Sequence, residues 1–259
     1  MSVEMSEILK KNISLLNIKY KSLNIRFELQ ENIISIMEDF VISKNPALKQ
    51  ALKEYVMIWN NDQKKWFIGK AGIKILSKKI IKTKPSKSIE ALAGELADFI
   101  KMIEDPELRN SINTFMKKKR DFFKAPGARY NHHNYIGGLL EHTVQTVKLA
   151  LAVSDTTENL IIDQDILISG SILHDVGKIN CYEFSQGTID LTDIFIEQEH
   201  IINGVKIVSQ EIKSEKLNDL IHILASHHNI KDWGSPIEPV SNEAWIIHTV
   251  ENLSSKIMG

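Results

Sequence analysis

The sequence predicts a mainly α-helical protein, a helical bundle with a small N-terminal appendage made of helices and one β-hairpin. From Ile89 to the C-terminus, every long segment carries apolar residues at the spacing of an amphipathic helix. Between residues 56 and 69, two short β-rich runs instead flank the polar turn NNDQ, a pattern typical of a hairpin. The chain has 259 residues, of which 43% are hydrophobic, so it can bury the core of one large domain.

Three further segments define the N-terminal appendage. Residues 28–42 (ELQENIISIMEDFVI) and 46–55 (PALKQALKEY) have apolar residues at helical spacing and are predicted helices. Residues 82–88 (KTKPSKS) combine a proline with charges and serines, which is typical of a linker. We therefore expect a helical unit with a hairpin at residues 1–87 and a larger helical domain at residues 88–259.

Composition limits the class of protein. Cys181 is the only cysteine, which excludes an intramolecular disulfide and any cysteine-rich metal site. The first residues lack the apolar core of a signal peptide, and no apolar run reaches the length of a membrane span. We expect a cytoplasmic protein with no membrane partner, and the sequence does not indicate an oligomeric state.

The net charge of −1 conceals an uneven distribution of lysine. Nine lysines and no acidic residue lie between Lys64 and Lys87, and Trp59, Trp66 and Phe67 lie in or next to this run. Lysines beside aromatic rings are typical of a surface that binds single-stranded nucleic acid. A solvated lysine-rich surface without a partner is the alternative interpretation, and the sequence leaves it open.

Histidine is concentrated in the second half of the chain. Six of the nine histidines lie on or at the end of apolar helices there. These six are His142, His174, His200, His222, His227 and His228. A single histidine on an apolar face is usually an ordinary core residue with a hydrogen-bond partner, which is our interpretation of His222 and His248.

The other histidines recur on several helices, and this repetition favours a metal site. Several helices that each turn a histidine to their apolar side would bury costly polar rings unless a metal ion shared them. The candidate ligands are His142, His174, Asp175, His200, His227 and His228. Imidazoles with a carboxylate suit Mn, Fe, Co or Zn, and an aspartate next to a ligand histidine can bridge two ions.

The order of these residues resembles a known superfamily. His142 followed by adjacent His174 and Asp175 is similar to the HD-domain phosphohydrolases, an all-helical metal-dependent fold. From about Ser88 to the C-terminus, the segments GGLLEHTVQTV, GSILHDVGKI, EQEHI, ASHHNIKDWGSP and IIHTVENLSSK resemble, in order and spacing, the YhaM-type 3′-to-5′ exoribonucleases. The resemblance implies a helical HD-domain bundle that hydrolyses phosphodiesters.

Two departures from that family's pattern stand out. Glu251 lies where the family's last helix has an aspartate ligand, and Ser254 lies where the family has a further aspartate. A glutamate can still bind a metal, although its extra methylene moves the carboxylate by more than about 1 Å. Residues 1–87 also look too helical for the OB-fold barrel that those enzymes carry at the N-terminus.

The resemblance implies hydrolysis assisted by two divalent ions, with Mn or Fe expected first and Co, Ni or Zn as alternatives. Such ions activate a water molecule and stabilise negative charge at the attacked phosphorus. The implied ligands are His142, His174, Asp175, His200, His227, His228 and Glu251.

Other residues are assigned to catalysis or substrate binding. We expect Asp175, Lys178 and His132 to be catalytic, with Lys178 holding a phosphate oxygen and His132 contacting phosphate or leaving group. For Lys178 a helix-dipole role, and for His132 a simple loop role, are alternatives. His133, Lys178 and Trp233 are expected to bind substrate, and for Trp233 the alternative is that it anchors its own loop.

Three functions remain open from the sequence. The favoured one is a 3′-to-5′ exonuclease acting on single-stranded RNA, or also DNA, that releases nucleoside 5′-monophosphates. A hydrolase of a small nucleotide, such as a cyclic dinucleotide or a nucleoside polyphosphate, is the second. The lysine and aromatic segment favours the first, because a mononucleotide enzyme needs no remote basic surface. Glu251 and Ser254 motivate the third, a non-catalytic nucleic-acid-binding protein with a degenerate metal site.

Overall fold

The computed structural model of the chain contains two compact units. An N-terminal unit comprises residues 1–83 and 184–188, and a helical unit comprises residues 84–183 and 189–259. None of the helices in the described part of the chain is both long enough and apolar enough to cross a membrane. The structure describes residues 3–30, 33–37, 42, 44–53, 55–77, 82–129, 132–157, 159–185 and 188–258.

The N-terminal unit combines helices with an antiparallel sheet in the order β1-β2-β4-β3. Helix α1 packs on β1, and apolar side chains such as Leu9, Leu16 and Ile34 are fully buried. A short 3-10 turn, Lys21–Leu23, links α1 to the sheet. The elements are α1 (Val3–Lys19), β1 (Arg26–Gln30), β2 (Ile33–Met37), α2 (Pro46–Lys53), β3 (Met57–Asn60), β4 (Lys65–Ile68) and α3 (Lys70–Leu76).

The helix predicted for residues 28–42 is wrong. Its residues 28–30 lie in β1 and its residues 33–37 form β2, whereas Ile42 is helical. The register pairs Phe27 with Ile36 and Leu29 with Ile34 on one face of the sheet. Isoleucines in β2 lose side-chain freedom in a helix but pack well in a sheet, and β1 and β4 give β2 partners on both sides. The parts of the prediction at residues 31–32 and 38–41 lie outside the described residues.

The predicted hairpin and most of the helix predicted for residues 46–55 are present, with Tyr55 in a turn after that helix. Residues 46–53 are helical, and β3 and β4 form the predicted hairpin. Trp59 lies opposite Trp66 in that hairpin, with the ring centroids 5.1 Å apart. Of the nine lysines in the basic run, Lys78 and Lys79 lie outside the described residues.

The helical unit confirms the mainly α prediction. Side chains that precede a helix accept hydrogen bonds from its first free N–H groups: Ser88 accepts from Ala91, and Asp163 from Ile166. Three 3-10 turns and a π-helical segment connect or extend the helices. The helices are α4 (Ile89–Met102), α5 (Pro106–Lys118), α6 (Gly138–Asp155), α7 (Gln164–Leu173), α8 (Asp193–Glu211), α9 (Leu217–Ser226) and α10 (Asn242–Leu253). The 3-10 turns are Arg120–Phe123, Val176–Asn180 and Lys231–Trp233, and the π-helical segment is Ser254–Met258.

One pair of strands departs from the helical prediction for residues 88–259. Strands β5 (Tyr182–Ser185) and β6 (Thr188–Leu191) form a two-stranded sheet. The sequence YEFSQGTIDL alternates polar and apolar residues around a QG pair, which is a strand pattern. It is short compared with the helical segments around it, so the periodicity of the sequence does not distinguish it from them. Helices α6 and α7, which pack against each other, form the centre of the helical unit.

Candidate metal centre

Asp175 lies among four buried histidines just after the end of α7. Its Oδ2 atom is 3.5 Å from Nε2 of His142 and 3.4 Å from Nε2 of His174. Its Oδ1 atom is 3.7 Å from Nε2 of His200 and 3.6 Å from Nε2 of His227. One carboxylate therefore turns a different oxygen toward each of two pairs of imidazoles.

Among the described residues, three groups of side chains could hold a metal ion: two contain Asp175, and the third is His132, His133 and His142. Within each group the potential ligand atoms all lie within 4.8 Å of one another. The first group is His142, His174 and Asp175, and the second is Asp175, His200, His227 and His228. Asp175 is the residue that the first two groups share, so the structure brings together six of the seven ligands expected from the sequence.

Glu251, the seventh, belongs to none of these groups in the described residues. It lies on α10 with only 6% of its surface exposed. Burial and the negative charge of Asp175 raise the pKa of Glu251 to about 7. A nearby cation would favour its ionised form.

Three atoms of this centre are buried without a hydrogen-bond partner among the described residues. They are Asp175 Oδ1, His200 Nε2 and His227 Nε2. Buried polar atoms that remain unpaired are costly and rare. Since all three converge within the second group, they fit a divalent cation bound between them.

Hydrogen bonds fix two of the imidazoles in the form that binds metal. Nδ1 of His174 lies 2.9 Å from the carbonyl oxygen of Ser171, and Nδ1 of His227 lies 2.8 Å from that of Leu224. A carbonyl oxygen only accepts, so both Nδ1 atoms carry a hydrogen, and in the neutral ring each Nε2 atom presents a lone pair toward Asp175. A lone pair that faces a carboxylate oxygen is repelled unless a cation lies between them.

Charges in the centre are set by burial and by Asp175. Burial lowers the pKa of His142 and of His200 well below the ordinary value, which keeps these rings neutral. Burial raises the pKa of Asp175, but the ammonium of Lys178 and the ring of His174 lower it by more, so this carboxyl stays ionised. His174 is the exception: burial lowers its pKa, but Asp175, Glu251 and the carbonyl of Ser171 together raise it by more. A proton therefore competes with metal at His174.

Lys178 completes the centre. Its side chain is buried, and its Nζ atom donates to Asp175 Oδ2 at 2.6 Å. It lies in the 3-10 turn that follows Asp175 and not on the surface of a helix end, which disfavours a role limited to the helix dipole.

Gly177 explains why a glycine occurs in the HDVGK motif. A Cβ atom at this position would lie 1.9 Å from the carbonyl oxygen of His200, because the turn and α8 touch through their backbones. Asn203 donates to the Gly177 carbonyl at 2.7 Å and so ties the same two segments. This close contact holds His200 at its distance from Asp175.

The α8 backbone is also unusual just before His200. Glu199 has φ 51° and ψ 178°, so two helical stretches meet there at a kink. Such a conformation costs a residue other than glycine about 1–3 kcal/mol and is concentrated at functional sites.

His132 and His133 precede α6 and lie beside the first group. The ring of His132 is centred 5.2 Å from that of His142, and its Nδ1 lies 3.1 Å from Nδ1 of His133. His133 is buried, and its Nε2 lies 3.0 Å from Oε1 of Gln145. The ring of His133 is centred 5.1 Å from that of His142, so the structure places both His132 and His133 next to a candidate ligand.

The remaining predicted residues lie in the loop after α9 and on the helices on either side of it. The Trp233 carbonyl accepts a hydrogen bond from Nδ1 of His228, whereas the indole ring is 55% exposed. His222 accepts from the N–H of Val240, and His248 donates to the carbonyl of His227. His222 and His248 are therefore histidines with ordinary partners, as the sequence indicated.

Sequence reasoning missed three polar residues around the centre. Glu141, next to His142, is buried and accepts from the backbone and hydroxyl of Ser86 and from the hydroxyl of Tyr135. Gln145 and Ser254 are buried and bonded to each other. Each of these two follows a predicted ligand by three positions, so helical spacing was the signal that could have revealed them.

Comparison with known proteins finds a family match over the region that contains this centre. Residues 139–255 match the family model described as HD domain. Three curated relatives named 3′-5′ exoribonuclease YhaM, from Listeria welshimeri, Bacillus licheniformis and Shouchella clausii, are 32%, 33% and 32% identical to the chain. The alignments cover 65%, 62% and 64% of this chain but 55%, 52% and 53% of the relatives. The chain thus spans about half the length of these relatives. No solved structure matches the chain.

Proposed function

Because residues 139–255 form an HD domain, we propose that this chain is a metal-dependent phosphodiester hydrolase. We propose further that it acts as a 3′-to-5′ exonuclease on single-stranded RNA, with DNA as a second substrate, and releases nucleoside 5′-monophosphates. The observation that carries the proposal is the carboxylate of Asp175, which turns one oxygen toward each of two histidine groups. The names of the relatives support the direction and the nucleic-acid substrate.

The ligand groups suit two divalent transition-metal ions, with Mn or Fe first. His142, His174 and Asp175 would hold one ion, and Asp175 with His200, His227 and His228 the other. When bound, such ions lower the pKa of a water molecule and offset negative charge on a phosphoryl group. The chain's own part is to keep Asp175 ionised and to keep the ligand histidines other than His174 neutral, since burial lowers the pKa of His142, His200, His227 and His228.

Glu251 is proposed as a further ligand, contributed by α10. Its buried carboxyl lies in the field of Asp175, where a cation would remove the cost of its ionisation. The variant Glu251→Asp tests this role, because a carboxylate shortened by one methylene should change the metal preference or the rate. An identical metal profile would show that Glu251 is not a ligand.

Four other side chains are proposed to act on the substrate. The ammonium of Lys178, which now pairs with Asp175, would bind a non-bridging phosphate oxygen. His132, adjacent to His142, would contact the phosphate or the leaving oxygen, with His133 beside it. The exposed indole of Trp233 would stack on a base.

The N-terminal unit is proposed to contact the nucleic-acid strand. The ring of Trp59 meets that of Trp66 in the hairpin, and Nζ of Lys49 lies 5.2 Å from the centre of the Trp66 ring. Lys64 and Lys65 are exposed in the same hairpin. Aromatic rings beside lysines offer stacking and charge to a single strand without reading its sequence.

Polarity and product are tested together with a 5′-labelled single-stranded RNA and Mn²⁺. A centre that accepts a strand end should shorten the labelled strand one nucleotide at a time, and a 3′-phosphate should slow the reaction. Immediate release of labelled mononucleotide, or cleavage of a circular strand, would contradict the proposal.

A parallel assay distinguishes the two alternative functions from the proposed one. Cyclic dinucleotides and nucleoside polyphosphates are incubated beside the RNA under the same conditions. Turnover of these and not of RNA would establish a small-nucleotide hydrolase. Binding of RNA with no turnover and no bound transition metal would establish a non-catalytic protein.

A further inference from the structure

Ser254 contacts the candidate ligand His142 from the side away from Asp175. Its Oγ atom lies 3.0 Å from Nδ1 of His142 and 2.9 Å from Oε1 of Gln145. All three side chains are at least nine-tenths buried. The π-helical segment starts at Ser254, directly after α10, so this serine lies where the helix changes its winding. Changes of this kind are frequent at functional sites.

The amide oxygen of Gln145 determines which way the hydrogens point. It lies within hydrogen-bond distance of both the Ser254 hydroxyl and Nε2 of His133, and it can only accept. The one hydroxyl hydrogen of Ser254 is therefore directed to Gln145. At its contact with His142, Ser254 must then accept, so Nδ1 of His142 carries the hydrogen and Nε2 presents its lone pair toward Asp175.

The hydrogen-bond network has a second branch, which runs from Gln145 through His133 to His132. His133 donates from Nε2 to Gln145, so in its neutral form its Nδ1 is an acceptor. Nδ1 of His132, 3.1 Å away, then carries the hydrogen, and Nε2 of His132 has a lone pair. One amide oxygen thus sets the hydrogen positions of three histidines.

We propose that Gln145 is a positioning residue that, through Ser254, holds His142 in its metal-binding tautomer. The reversed amide would donate to both neighbours and make Ser254 donate to His142, which would place a hydrogen on Nε2 in the metal site. This inference rests on the metal site of the proposed function but not on its substrate or reaction.

The test measures Mn²⁺ affinity by isothermal titration calorimetry in four variants. Gln145→Leu and Ser254→Ala remove a link of the network and should weaken binding by about 10–100-fold, the usual effect of losing a partner of a ligand histidine. Gln145→Glu keeps an oxygen that only accepts and should bind within a few-fold of the wild type. Ser169→Ala, the control, removes a buried hydroxyl of α7 that has no hydrogen-bond partner among the described residues, and should not change the affinity.

A second measurement reads the tautomer directly. In the metal-free wild type, nitrogen-15 NMR of backbone-assigned His142 should show the hydrogen on Nδ1, and Ser254→Ala should lose this preference. A hydrogen on Nε2 in the wild type would overturn the inference, and so would unchanged Mn²⁺ affinity in Ser254→Ala. Loss of binding in a folded Gln145→Glu equal to that in Gln145→Leu would overturn it as well. If the wild type binds no Mn²⁺, the metal site fails, while the tautomer measurement still decides this inference.

Discussion

The two units bury different kinds of side chain. Among the described residues, the buried polar side chains of the N-terminal unit are Asn12, Ser35 and Ser77, and each donates a hydrogen bond within that unit. The helical unit instead buries histidines, carboxylates and Lys178, and three of its converging polar atoms have no hydrogen-bond partner among the residues described. Apolar packing stabilises the first interior, whereas the second contains converging polar and charged groups that a bound cation would stabilise. We therefore expect the functional site in the interior whose buried polar side chains lower the stability of the fold.

Removal of the central carboxylate should have the largest effect, and this effect should be confined to the helical unit. In Asp175→Ala we expect hydrolysis to fall by more than about 1000-fold and metal content to drop, because both ligand groups lose their shared member. Helical circular dichroism should be retained. Activity assays with metal analysis measure this, and Asp98→Ala, an exposed aspartate of α4, is the control. Retained activity in Asp175→Ala would refute the centre.

A cavity in the N-terminal unit should have the opposite effect. Leu16 is fully buried, so Leu16→Ala should lower the free energy of unfolding of that unit by about 2–5 kcal/mol. Metal affinity should remain unchanged. Hydrogen–deuterium exchange localises the loss, and a matching loss of Mn²⁺ binding would show that the two interiors are not independent.

A single added methyl group should disturb the metal centre through the backbone. Gly177→Ala forces the 3-10 turn and α8 apart, which should destabilise the helical unit by about 1–3 kcal/mol and weaken Mn²⁺ binding. Gly94 of α4 is the matched control, since its added Cβ would meet nothing within 4 Å. Gly94→Ala should raise stability by about 0.5–1 kcal/mol. Equal metal affinity in both variants would contradict the role given to Gly177.

Neutral side chains in place of lysines should change only the binding of long strands. Replacing Lys64, Lys65, Lys70 and Lys74 by glutamine should flatten the dependence of RNA binding on salt, by about 0.7 in logarithmic slope for each phosphate that the protein no longer neutralises. Hydrolysis of a dinucleotide should change little. Filter binding across a salt series measures the slope, with Lys101→Gln of the helical unit as control. Equal weakening on long and short substrates would argue against a nucleic-acid surface.

The smallest effect is expected from Asp165, a buried carboxylate far in sequence from its partners. Burial raises its pKa, but the N–H groups of Glu104 and Asp105 and the ammonium of Lys216 lower it by more, so the pKa lies below the ordinary value. Its contribution to stability is then present above about pH 4 and is lost as the pH falls through the lower folded value. Denaturation at several pH values should show a shallower acid loss in Asp165→Asn. An unchanged slope would contradict this.

The sequence allowed us to predict the helices and the candidate ligands, because composition and long periodic patterns encode both. Helices α4 to α10 follow from repeated apolar spacing, and six candidate ligands follow from histidines that recur on apolar faces. The prediction fails at strand β2 because a short isoleucine-rich run fits helical spacing as well, and only its neighbours in the sheet decide between the two. Gln145 and Ser254 are 109 positions apart, so their contact depends on how α6 and α10 pack, which no local pattern encodes.

The shared carboxylate of Asp175 couples the two ligand groups. Its oxygens belong to one rigid plane, so a cation that orients one oxygen also orients the other. Two cations bound to these groups would also repel each other. Whatever the balance, binding free energies are reciprocal: the first ion changes the affinity for the second by the same factor as the second changes that for the first. A chain with one ion is then a distinct thermodynamic species, and its abundance reports the sign of the cooperativity.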